Sequence, residues 1–254
     1  MRGYVRGQGI GYRGGGMLRT GKNLRSGFTL VEMLMAVVVG LVLLGAIWSA
    51  VIAGQRSSVG IERKVTTGQD ARTALEIMAA EIRMASFNPM FAMGMWIDPA
   101  SCSPAADQNR RGIQEASAVA VTIEMDLDPD GQCGNSGNEI IRYAYDEPSG
   151  RITRETIRCA SGIRTSSGAQ PFLGPIPSNP AVRTVRVING GVPVFRYYDG
   201  KGAEVVNLPA EIPRIRRIEI VLVAESADAD PRTGEPRRLA FSTSVTPRNH
   251  GVQF

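Results

Sequence analysis

A chain of 254 residues, 43% hydrophobic and 21% charged, has the make-up of a folded protein and excludes wholesale disorder. Its net charge of +5 invites an acidic partner until the charge is located: Arg2, Arg6, Arg13, Arg19, Lys22 and Arg25 precede residue 28 with no acid among them. Beyond residue 27 there are 23 basic against 24 acidic residues, net −1, so the basic character belongs to a leader, and no nucleic-acid surface is expected.

That leader, residues 1–27, is Gly-rich, and Met17 would give a shorter form, "MLRTGKNLRSG", with Arg19, Lys22 and Arg25 retained, so residues 1–16 read as an over-long start. From Phe28 to Gly54 the only formal charge in 27 residues is Glu32. About 20 apolar residues suffice to cross a bilayer as a helix. Lys22 and Arg25 would hold the N-terminal end in the cytoplasm and put residues 55–254 on the far side, with Trp48 as an interfacial anchor. A cleavable secretory signal fits poorly, because the apolar run is too long and no A-x-A site closes it. A plain anchor leaves Glu32 unexplained, since an ionisable group within a span costs about 3 kcal/mol unless it is paired or near the interface. Thr29-Leu30-Val31-Glu32 also matches the S/T-x-x-E capping box, in which Glu32 would satisfy a free backbone N–H at a helix start. A cut between Gly27 and Phe28 would create such a start, together with a new positive α-amino group.

"RSGFTLVE" resembles the type III signal of type IV pilins and pseudopilins: a basic leader ending in Gly, then Phe, then Glu at the fifth position of the cut chain, then an apolar helix. The resemblance implies that a prepilin peptidase cuts between Gly27 and Phe28 and that the Phe28 amine is methylated. It further implies that Glu32, beside Thr29, sets assembly register by pairing with the Phe28 amine of a neighbouring subunit.

No proline occurs before Pro89, and Ile61, Val65, Gly68, Ala71, Leu75, Met78, Ile82 and Ala85 advance by threes and fours. One helix from Phe28 to about Ser86 is predicted, with residues 28–54 as its membrane or filament-core half and 55–86 as its second half. Gly54, Gly60 and Gly68 each weaken it by about 1 kcal/mol relative to Ala, so bending or partial melting is expected there. "FNPMFAMGMWIDPASCSPAADQNRRG" breaks the helix into a loop whose Met90, Met93, Met95 and Trp96 read as a lid over helix and sheet, or else as a contact patch for another subunit. Exposure of Trp96 would favour contact.

After residue 116 the apolar period changes to two, through Val119, Val121, Ile123, Met125 and Leu127. Similar runs at 139–146, 151–158, 181–188, 192–199, 214–224 and 238–245, with turn signals such as Asn189-Gly190-Gly191, predict an antiparallel sheet or β-sandwich in residues 87–254 that packs on the helix. The class is therefore α+β. This order of long helix, irregular link and β head is similar to PilW-type minor pilins and to J-type pseudopilins. "GQDARTALEIMAAEIRMASFNP" and "RRLAFSTSVTPRN" lean towards the PilW type.

"DLDPDGQCGNSGNE" sets Asp126, Asp128 and Asp130 at alternate positions before Gly131, the opening of a calcium loop. It departs from the EF-hand because the twelfth position is Gly137 and Glu139 stands two residues later. The competing reading is a solvated, Asx-rich turn. Three cysteines are too few for a disulfide scaffold and lack zinc-site spacing. Outside the cytoplasm one pair can oxidise, and Cys133 with Cys159 is preferred because each follows a strand-like run. The lone histidine, His250, reads as a solvated tail residue, and no catalytic motif appears.

The resulting expectation is a non-enzymatic minor type IV pilin that primes pilus assembly and sits at or near the tip. The resemblance implies as partners the prepilin peptidase, other minor and major pilins and the inner-membrane assembly platform. It also implies a single inner-membrane pass with a periplasmic head, then the pilus at the cell surface. The alternatives are a J-type pseudopilin of type II secretion and a membrane-anchored periplasmic binding protein with an uncut leader.

Overall fold

The computed structural model describes residues 27–176, 185–229 and 233–251. The leader up to residue 26 lies outside these, as does the first half, 181–184, of the strand predicted at 181–188. The chain divides into two compact units, Met1–Ile52 and Ala53–Phe254.

In the first unit, α1 (Leu30–Arg83) starts its course. Over Leu30–Gln55 the mean hydropathy is 2.6 and none of the apolar window is buried. This stretch is long and apolar enough to cross a membrane. The helix runs unbroken through Gly54, Gly60 and Gly68, so the expected melting does not occur. At roughly 1 kcal/mol each, three glycines are outweighed by the hydrogen bonds of a 54-residue helix.

In the second unit, the helix buries Ala71, Leu75, Met78 and Ile82 of the stripe predicted from spacing, and Ala74 and Ala79 beside them, whereas Val65 of that stripe is exposed. The helix gives way to turns at Met84–Ser86, with Ser86 in the left-handed region (φ 64°) and Arg83 in the last helical turn, where a cation favours the helix dipole. Short strands β1 (Ile97–Asp98) and β2 (Ser103–Pro104) form a ribbon within the link. A six-stranded antiparallel sheet then follows as a meander of β3 (Ile113–Ala116), β4 (Ala120–Glu124), β5 (Ile140–Asp146), β6 (Arg151–Ala160) and β7 (Ile163–Ser166), with β8 (Gln170–Leu173) also on β6. A second antiparallel sheet orders β10 (Phe195–Tyr198), β11 (Arg217–Ala229) and β12 (Pro236–Val245), with β9 (Arg186–Val187) on β11. The architecture is α+β, as the periodicity predicted.

Alternation decides what each strand buries. Ile218, Ile220, Leu222 and Ala224 of β11 join Ile141 and Tyr143 of β5 and the helix stripe in one core. Ile140, one residue out of phase with Ile141, faces a smaller core with its cross-strand partner Ile157 and with Met95, Trp96, Cys133 and Cys159. Helix and sheet are also pinned by charge: Glu81 accepts from Arg154 at 2.8 and 3.1 Å and from the Tyr143 hydroxyl. Where the helix end meets β3 and β4, a side chain on Gly112 would fall 2.3 Å from the Ser86 amide nitrogen and from the Glu124 carbonyl. Only glycine allows that approach.

Candidate functional site

The N-terminal motif is local and its geometry is complete. Residues 27–29 are non-helical and α1 begins at Leu30. Thr29 acts as the N-cap: its Oγ1 accepts from the Glu32 amide at 3.2 Å, and Glu32 Oε2 accepts from the Thr29 amide at 3.0 Å and from its hydroxyl at 3.1 Å. This is the reciprocal capping box. Phe28 and Glu32 are exposed, as are Leu30, Leu34 and Val42 around and beyond them.

The link loop divides into two parts. Met95 and Trp96 are buried in the smaller core, and Gln108 holds the loop by donating to the Trp96 and Ala105 carbonyls and accepting from the Trp96 amide. That half is a lid. Met90, Phe91 and Met93 point outward, Met93 at 93% exposure, on a turn braced by Asn88, which both donates to and accepts from Ala92.

The cysteine pairing differs from expectation. The disulfide joins Cys102 to Cys159, with Cα atoms 5.4 Å apart, and Cys133 is free and buried. The physical reason is the fold-back of the lid, which carries Cys102 onto the sheet face that Cys159 shares. Cys133 does approach β6, since the Cys159 amide donates to the Gly134 carbonyl, but its thiol turns to the Met125 carbonyl at 3.8 Å. Burial pushes that thiol well above its ordinary pKa, and nearby Glu124 and Glu139 add repulsion.

The acidic loop between β4 and β5 brings Asp126, Asp128 and Asp130 together, with one carboxylate oxygen from each within 4.8 Å of the others. Asp126 is fully buried: Oδ2 accepts from the Gly131 amide at 2.9 Å, while Oδ1 is shielded and has no partner. Glu139 has another task. Its Oε1 accepts from the Leu127 amide at 3.1 Å, and its Oε2 from the Gly134 and Ser136 amides at 2.9 and 3.0 Å. It ties the loop's two limbs together. Burial raises its pKa against the opposing pull of those amides.

Two further groups were invisible to sequence reasoning. Glu124 is fully buried, accepting from Gln114 Nε2 at 3.0 Å and from the Ile97 amide at 3.3 Å, and burial raises its pKa well above its ordinary value. His250 is no solvated tail residue but fully buried. Its Nε2–H donates to the Ile212 carbonyl at 3.0 Å, which leaves Nδ1 to accept from the Ser86 hydroxyl at 2.9 Å. Burial pushes its pKa down to about 4, against the Ile212 bond that favours the charged ring and with help from Arg111 and Arg216. No local pattern announces either group, because both depend on contacts across the fold. A cleft of about 500 Å3 beside the lid is lined by Arg142 and Arg164, which are paired with Glu115 at 2.8 Å and Glu155 at 2.9 Å.

Among known families, the prokaryotic N-terminal methylation motif matches residues 22–48. The chain carries a prepilin-type N-terminal motif. It supports a pilin- or pseudopilin-like protein, a substrate of prepilin peptidase anchored by its apolar helix. No curated protein and no solved structure matches the chain.

Proposed function

We propose that this chain is a minor type IV pilin of the PilW type, cut between Gly27 and Phe28, that primes pilus assembly and is incorporated at or near the tip. The observation that carries the reading is the methylation motif, whose only charge within the apolar stretch is Glu32. In the cut chain the Phe28 amine is a cation four residues from Glu32. A carboxylate costly for a lone subunit in lipid becomes a registry device when a neighbour supplies that cation. The capping box occupies Oε2, so the same carboxylate still has Oε1 to offer across a subunit boundary. The basic residues before the span favour a cytoplasmic N-terminus and a periplasmic head. Packing of helices and display of the head surface, rather than catalysis, would be its work.

Mass spectrometry of the N-terminal peptide from filaments sheared off cells tests this. A peptide beginning at N-methylated Phe28 is expected. Recovery only from membranes, with residues before Phe28 still attached, would instead mean a membrane-anchored protein that never joins a filament.

A further inference from the structure

The loop between β4 and β5 concentrates negative charge that the protein itself leaves uncompensated. Three carboxylate oxygens from Asp126, Asp128 and Asp130 lie within 4.8 Å of one another, and among the described residues no lysine or arginine forms an ion pair with any of them. Like charges at that separation repel. Asp128 and Asp130 can relax into water, but Asp126 cannot. It is fully buried, one oxygen is held by the Gly131 amide, and the other, Oδ1, is sealed from solvent without a partner. A buried carboxylate oxygen left unmatched is a costly arrangement for which a folded protein needs a reason. A second oxygen of the same loop, Asn135 Oδ1, is likewise shielded and unpartnered, while the amide nitrogen of that side chain donates to Asp130 Oδ2.

We propose that this loop binds one calcium ion through Asp126, Asp128 and Asp130, with Glu139 as the positioning residue that closes the loop rather than a ligand. The donors are all oxygen, which selects a hard cation. The loop contains no histidine, and its one thiol, Cys133, donates to the Met125 carbonyl. An irregular loop of buried and exposed carboxylates suits calcium, which accepts six to eight ligands in flexible geometry, better than magnesium with its strict octahedron. Glu139 makes the arc possible by gathering the amides of Leu127, Gly134 and Ser136 onto one buried carboxylate. The site also lies under the exposed turn of the link. The Asp126 amide donates to the Phe87 carbonyl at 2.9 Å, and a side chain on Gly131 would fall 3.3 Å from Ala92 Cβ. An ion here would stiffen the support of Met90, Phe91 and Met93. The proposal stands independently of the filament reading.

The test is calorimetric titration of the detergent-solubilised full chain, stripped with chelator, with calcium chloride and separately with magnesium chloride, beside thermal melts. One calcium per chain is expected, with a dissociation constant of about 0.1–1 mM and a rise in melting temperature that chelator reverses. Asp128→Asn combined with Asp130→Asn changes only exposed side chains. That variant should still melt cooperatively without calcium and lose at least about tenfold in affinity. The proposal is overturned if the unsubstituted chain gives neither heat nor a melting shift at millimolar calcium, or if the double variant binds as tightly.

Discussion

The two units of the chain use apolar surface in opposite ways. From Phe28 to Val51 the large apolar side chains face outward, and none of the described residues of that unit covers them. Beyond it, the same helix buries Ala71, Leu75, Met78 and Ile82 in a core closed by two sheets. The first stretch therefore takes its stability from whatever surrounds it, lipid or neighbouring helices, while the head supplies its own. A substitution in one should be read out by assembly and in the other by unfolding.

The largest expected effect breaks the comparison at its N-terminal end. Glu32→Ala should leave cleavage after Gly27 largely intact and reduce recovery in sheared filaments by at least about tenfold, because the neighbour's amine would lose its partner in an apolar setting. Melting of the head should not change. Immunoblots of processed protein against filament fractions check this, and normal incorporation would remove the pairing idea.

Within the head, the next largest effect is the disulfide. Its partners are 57 residues apart, so opening that loop by Cys102→Ser with Cys159→Ser should cost about 4 kcal/mol by chain entropy. Denaturant unfolding measures it, and peptide mapping without reductant should give the 102–159 link in a Cys133→Ser variant as well.

The smallest effect concerns His250. The folded ring stays neutral down to about 4, whereas an unfolded histidine takes up its proton near 6.5. Between those values the unfolded chain binds the extra proton, so this group's contribution to stability is full above 6.5 and falls as pH drops, by up to about 3 kcal/mol near pH 4. Unfolding curves across that window for the wild type and His250→Gln should diverge accordingly, and parallel curves would remove the role of the buried ring.

What could be read from sequence follows the range of the interactions. The Thr29–Glu32 cap lies within one turn of helix, and the apolar period of β11 repeats every second residue, whereas β4 is buried on both faces with Val119 and Leu127 exposed at its flanks. The cap and the β11 period are local, and both were legible. Cys102 and His250 were misjudged because their surroundings come from chain far away: the lid that carries Cys102 onto β6, and the meeting of Ser86 with Ile212 around the ring. The acidic triplet was legible as a motif, whereas the backbone amides that claim Glu139 were not.

The capping box has one further consequence. By closing the helix at Leu30 with its own side chains, it stops helical structure from propagating backwards into residues 27–29. If the chain is cut as proposed, the Gly27–Phe28 bond lies in open backbone, the state in which a peptidase can take hold of a chain, without any helix first having to unwind. Thr29 carries the half of the box that survives Glu32→Ala, since its Oγ1 accepts from the backbone amide of residue 32, so this spacing between the proposed cut and the start of the rod is kept in that variant.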